Sequence, residues 1–125
     1  MKPVATDKAP AAVGPYSQAI KTGNMLYCSG QIGLIPETGT LAGEDIRSQS
    51  RQALLNLAAV LSAAGFKTDN IVKTTVFLTD MKDFAVFNTI YADFLTPHKP
   101  ARATVQVAAL PLGALVEIEC IAVKE

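Results

Sequence analysis

Apolar and polar residues alternate in several short runs of this chain, and in two longer stretches the apolar positions recur at helical spacing. From residue 102, Arg102, Thr104, Gln106 and Ala108 share one face while Ala103, Val105, Val107 and Ala109 share the other, as in a half-buried strand. Pro111 and Gly113 interrupt that run. A second alternation then sets Val116, Ile118, Cys120 and Ala122 against Leu115, Glu117, Glu119, Ile121 and Val123. Upstream, residues 17–22 and 25–29 read as strands flanking Gly23-Asn24, a two-residue hairpin signal, and residues 2–6 allow a short strand before them. Residues 45–64 place Ile46, Ala53, Leu54, Leu57, Leu61 and Ala64 on one helical face, with Gly65 positioned to end the helix. Residues 70–79 alternate again, Val72, Thr74, Val76 and Leu78 against Ile71, Lys73, Thr75 and Phe77. A second helix carries Phe84, Phe87, Ile90, Tyr91 and Phe94; Asp80 or Asp83 caps its start and Thr96-Pro97 ends it. The order is ββαβαββ-like. It predicts one α/β (α+β) domain over residues 1–125, a mixed sheet with two helices on one face and the other face open for subunits to meet.

Two carboxylates, Glu117 and Glu119, fall on an otherwise apolar strand face, where a charged carboxylate needs a cation or hydrogen-bond donors. Arg102 is the natural partner. A tight hairpin turning near Leu112 would, however, leave Arg102 about 16 Å from Glu117 at ~3.3 Å per residue. Either the connection is not a tight hairpin, or Arg102 meets a carboxylate of another copy of the chain.

Composition narrows the function classes. Of 125 residues, 50% are apolar and 18% charged, and the formal net charge is zero. A balanced chain lacks the basic stripe that neutralises phosphate, so nucleic acid is not the expected partner. The apolar surplus points to an oligomer. The N-terminal residues MKPVATDKAP contain no signal-like apolar core, and Asn56 interrupts the longest apolar run far short of a membrane span, so no membrane association and a cytoplasmic location are expected. Cys28 and Cys120 lie in strand-like runs without metal-binding spacing and read as buried, inert thiols.

Pro100, Ala101, Arg102, Ala103, Val105 and the step Val116-Glu117-Ile118 resemble the C-terminal signature of the Rid family, also called YjgF. The similarity extends through GPYSQAI, YCSGQIG and IVKTTVFLTDMKDFAVFN and so covers nearly the whole chain. The resemblance implies a chorismate-mutase-like fold with a six-stranded mixed sheet, a homotrimer with clefts between subunits, and cofactor-independent, metal-free hydrolysis of 2-imino acids such as 2-iminobutanoate and 2-iminopropanoate to 2-oxo acids and ammonia. It places the site on Tyr16, Ser29, the Gly30 backbone, Asn88, Arg102 and Glu117, all present here. Catalysis falls to Glu117, Arg102 and Tyr16. Substrate binding falls to Arg102, Ser29, Gly30, Asn88 and Tyr16. The sequence departs from some RidA-type relatives in having Thr104 in place of cysteine and in a shorter TPHKPA loop.

These residue types suit the chemistry on their own terms. A guanidinium matches a carboxylate bidentately, and a carboxylate can deprotonate an attacking water and later return the proton. Each also has a plainer reading. Arg102 and Glu117 could be a structural pair between subunits, Tyr16 a loop anchor, Ser29 a strand cap and Asn88 a residue satisfying nearby backbone. His98 reads as a solvated loop residue, Glu119 as a lysine partner, and Arg47 and Arg51 as the wet side of the first helix. Two rival functions remain open at this level: a non-catalytic protein that binds small carboxylates in the same clefts, and a ribonuclease or translation inhibitor.

Overall fold

A computed structural model describes all 125 residues. Its elements in chain order are β1 (Lys2–Val4), β2 (Ala19–Thr22), β3 (Met25–Ile32), α1 (Ile46–Ala63), β4 (Ile71–Leu78), α2 (Phe84–Leu95), β5 (Ala101–Gln106) and β6 (Val116–Val123). The six strands form one mixed sheet in the order β1-β2-β3-β6-β4-β5, with only the β4–β5 pair parallel. Gly23 adopts φ 56°, the left-handed conformation that the β2–β3 hairpin turn requires.

Both helices pack on one face of the sheet and enclose a core that includes Leu26, Leu54, Leu61, Val76, Phe87 and Ile118. Asp45 caps α1 by accepting a hydrogen bond from Ser48 N, and Gly65 (φ 83°) follows its end, as the spacing predicts. Asp80, not Asp83, makes the side-chain cap before α2, accepting from Lys82 N within a short 3-10 turn. The buried face of α1 is less apolar than its pattern suggests, because Gln49 and Asn56 are buried there too. Each tethers a loop: Asn56 Nδ2 donates to the Ile32 and Leu34 carbonyls, while Gln49 accepts from Leu115 N and donates to the Gly43 carbonyl. Those bonds replace the water that a buried amide would otherwise lack.

Two expectations are corrected and one open alternative is decided. The alternation in β4 breaks at a bulge between Ile71 and Lys73 in the β4–β6 pairing, so Ile71 is buried and Val72 is exposed, off the face it was expected to share with Thr74, Val76 and Leu78. The strand beginning near Arg102 stops at Gln106 rather than continuing to Ala109. Most consequential, β5 and β6 form no hairpin: β5 runs parallel to β4 at the sheet edge, and residues 107–115 carry the chain over the end of β4 so that β6 inserts between β3 and β4. No helix is long and apolar enough to cross a membrane.

Candidate active site

The crossover decides where the two strand charges lie. In the parallel pair Arg102 is level with Thr74, whose side chain is buried beneath α2, so Arg102 belongs to the helix-covered face. Glu117 is level with Phe77 and Ile32 and alternates with the buried Val116 and Ile118, so it belongs to the open face. Three residues along and two strands across, their Cα atoms are separated by about 14 Å, with side chains on opposite sides of the sheet. One copy of the chain cannot bring this guanidinium and this carboxyl together.

On the covered face Arg102 Nη1 donates to Asn88 Oδ1 at 2.8 Å, which leaves the Asn88 Nδ2 donor free. The guanidinium carbon lies 5.5 Å from the Phe84 ring centroid and 5.0 Å from that of Tyr91. Arg102 has no carboxylate partner; the chain's one ion pair joins Lys82 to Asp80 on the surface. A cavity of about 490 Å³ opens beside it, lined by Asn88, Tyr91, Leu95, Pro97, His98 and Arg102. His98 is not the solvated residue expected: it is partly buried, and its Nε2 donates to the Ile71 carbonyl at 2.6 Å, at the β4 bulge. Thr104, two residues on from Arg102 and on the same face, has a buried hydroxyl with no hydrogen-bond partner in the chain.

On the open face Glu117 lies across β3 where its pairing with β6 shifts register between Cys28 and Gln31. Gly30 sits in that irregularity, and a Cβ on it would come within 2.7 Å of the Glu117 carboxyl. Only a glycine leaves the carboxyl this place over the strand. Burial raises the pKa of Glu117 above its ordinary 4.5, and the neighbouring Glu119 raises it further. Glu119 is exposed and pairs with no lysine, contrary to expectation.

Ser29 donates its hydroxyl to the Ser17 carbonyl at 2.6 Å, and its backbone N–H donates to the Gln18 carbonyl. Its proton is therefore engaged, and the residue ties the segment bearing Tyr16 to β3. Gln18 completes the tie from the other side, accepting from Thr6 N and donating to the Thr6 and Pro10 carbonyls. Tyr16 is half-exposed beside a cavity of about 520 Å³ formed with the N-terminal segment. The chain thus groups Arg102 with Asn88, Glu117 with Gly30, and Ser29 with the Tyr16 segment, but leaves Arg102 and Glu117 apart. Sequence reasoning missed the buried amides Gln18 and Gln49 and the aromatic flanks of Arg102, whose helical spacing had marked them only as core.

Cys28 and Cys120 are free, buried and directly opposite each other across β3 and β6. A hydrogen bond to Cys28 raises the pKa of the Cys120 thiol, and burial adds to it, in keeping with inert thiols.

Comparison with known proteins agrees with this architecture. Residues 6–124 match the family model described as endoribonuclease L-PSP. Over 119 residues the chain is 53% identical to Reactive Intermediate Deaminase A, chloroplastic, of Arabidopsis thaliana, matching 95% of this chain and 64% of that protein. It is 50% identical to the 2-iminobutanoate/2-iminopropanoate deaminase of Salmonella typhimurium, with 98% of each chain covered. Among solved structures, E. coli TdcF with bound serine superposes with a TM-score of 0.95 at 42% identity, over 100% of both chains. With this match across almost its whole length, the chain belongs to the endoribonuclease L-PSP family, the YjgF or Rid family.

Proposed function

We propose that the chain hydrolyses 2-imino acids, including 2-iminobutanoate and 2-iminopropanoate, to 2-oxo acids and ammonia, in clefts completed where copies of a homotrimer meet. One observation carries this reading: Arg102 is a half-buried guanidinium, oriented by Asn88, without any carboxylate of its own chain to neutralise it. A small 2-imino acid supplies that carboxylate with its electrophilic carbon one bond away. The serine bound to TdcF and the activity named for the Salmonella relative fit the same class of ligand.

The chemistry follows from the groups available. Arg102 binds the substrate carboxylate through two parallel N–H donors and fixes the C=N carbon. Glu117 of a neighbouring copy accepts a proton from water as its oxygen bonds to that carbon. Glu117 returns that proton to nitrogen, giving the carbinolamine, then takes the hydroxyl proton and passes it to the same nitrogen, so that the C–N bond breaks and ammonia leaves as the carbonyl forms. Tyr16 and the Asn88 Nδ2 offer hydroxyl and amide contacts to the reacting nitrogen or water, and the Gly30 backbone forms the floor under Glu117. Ser29 acts by holding the Tyr16 segment. Burial raises the pKa of Glu117, which makes its carboxylate a stronger base toward water.

The open face supports the assembly. Tyr27 and Val105 are each 43% exposed there, and the partly exposed Phe77, Ile121 and Val123 lie on the same face, an apolar surface that a neighbouring subunit would cover. Two facing thiols left unlinked fit a reducing compartment such as the cytoplasm. Despite the description of the family model, the balanced charge gives RNA little to bind.

The test generates 2-iminobutanoate in situ with a dehydratase and follows ketone formation. Wild-type protein accelerates hydrolysis and Arg102→Ala does not; wild type that matches buffer alone contradicts the proposal. A purely binding protein would instead retain 2-oxobutanoate in both wild type and Glu117→Ala, with no turnover in either.

A further inference from the structure

Phe84, Asn88 and Tyr91 lie at positions i, i+4 and i+7 of α2, one face of the helix, and that face covers Arg102. Asn88 takes one Nη1 proton in the guanidinium plane. The two rings, at 5.5 and 5.0 Å, are within the range at which an aromatic face attracts a cation. Tyr91 is itself fixed. Its hydroxyl shares a 2.6 Å hydrogen bond with the buried hydroxyl of Thr74, the residue level with Arg102 on β4, and its ring packs 5.4 Å from the buried Phe87.

We infer that Phe84 and Tyr91, with Thr74 locking Tyr91, are positioning residues for substrate binding: they hold Arg102 in one orientation before ligand arrives. A guanidinium flanked by rings gives up its faces and keeps its edge donors for a carboxylate. Arginine otherwise loses considerable side-chain freedom when it binds, and a prearranged one does not, so the cradle acts on affinity rather than on the chemical step. This rests on Arg102 being the carboxylate anchor, but its structural part holds with or without turnover.

The experiment reads Arg102 directly in the assembled protein. The Arg102 Nε–Hε signal, identified by its loss in Arg102→Lys, is recorded by ¹⁵N NMR without ligand. The 2-oxobutanoate Kd and the imine KM and kcat are then measured for wild type, Phe84→Leu, Tyr91→Leu and Tyr91→Phe. Wild type shows an ordered signal. Phe84→Leu and Tyr91→Leu lose that order and raise Kd and KM about tenfold, with kcat within about threefold. Tyr91→Phe keeps the ring but loses the Thr74 bond, and falls between wild type and Tyr91→Leu in both order and affinity. Phe84 is only partly buried, so Phe84→Leu decides the matter even if Tyr91→Leu does not fold. A disordered Arg102 in wild type, or an unchanged signal and Kd in Phe84→Leu, overturns the inference. An ordered Arg102 that Phe84→Leu releases, in a wild type that turns over no imine, upholds the cradle and defeats the deaminase reading.

Discussion

Glu117 carries a carboxyl group that folding strips of part of its water without offering it a cation from the same chain. Because its folded-state pKa lies above 4.5, the native state holds its proton longer than the unfolded chain does as pH rises. The stability penalty is absent well below pH 4.5, grows as the unfolded form ionises first, and is complete above the folded-state value. Glu117→Gln is therefore expected to melt a little higher than wild type at pH 8, by about 2 °C, and at the same temperature near pH 3.5; thermal denaturation at both values checks this. The same variant should abolish turnover, and wild-type kcat should fall as pH drops through the Glu117 pKa, because the protonated carboxyl cannot accept a proton from water; a pH–rate profile checks this. Arg102→Lys keeps the charge but loses the planar fork, and kcat/KM should fall roughly 30-fold, mainly through KM. Both residues were legible in the sequence because a charge on an apolar strand face demands a reason. The bonds made by His98 and Ser29 were not, since their partners, the Ile71 and Ser17 carbonyls, are backbone groups brought near only by the fold.

Strand irregularities and crossovers decide what those side chains can do. Gly30 and Gly33 lie three residues apart on and just after β3 and predict opposite phenotypes. A Cβ at Gly30 meets the flexible end of Glu117, so Gly30→Ala should displace the carboxyl and lower kcat about 100-fold while Tm stays within about 2 °C. A Cβ at Gly33 would lie 2.5 Å from the Gln49 carbonyl oxygen and 2.8 Å from its Cα, backbone of α1 that cannot yield cheaply. Gly33→Ala should cost about 1–3 kcal/mol in chemical denaturation. Periodicity alone revealed both helices and the β2–β3 hairpin. It could not reveal that β5 pairs with β4, because alternation records faces and not neighbours, and a tight β5–β6 hairpin satisfies the same pattern. The bulge at Ile71–Lys73 was hidden for a related reason: one extra residue reverses the faces before it, and Val72 carries no mark of that.

At the scale of the whole molecule, the sheet separates the two halves of the site. Arg102 and Asn88 meet between α2 and the sheet, whereas Glu117 and Gly30 are on the uncovered apolar face, and no side-chain rotation within one copy unites them. An assembly is therefore integral to the proposed activity, and the mass in dilute solution should be that of three chains. The conflict between strand spacing and charge pairing was already visible in the sequence; its resolution depended on topology. Mixed assemblies of Arg102→Ala and Glu117→Ala subunits, their composition verified by native mass spectrometry, test the central claim most directly. Each parent alone should be inactive, and randomly mixed trimers should regain about a quarter of wild-type imine hydrolysis, because one site in four draws an intact Arg102 and an intact Glu117 from different copies. Mixed trimers no more active than their parents would contradict a site shared between subunits.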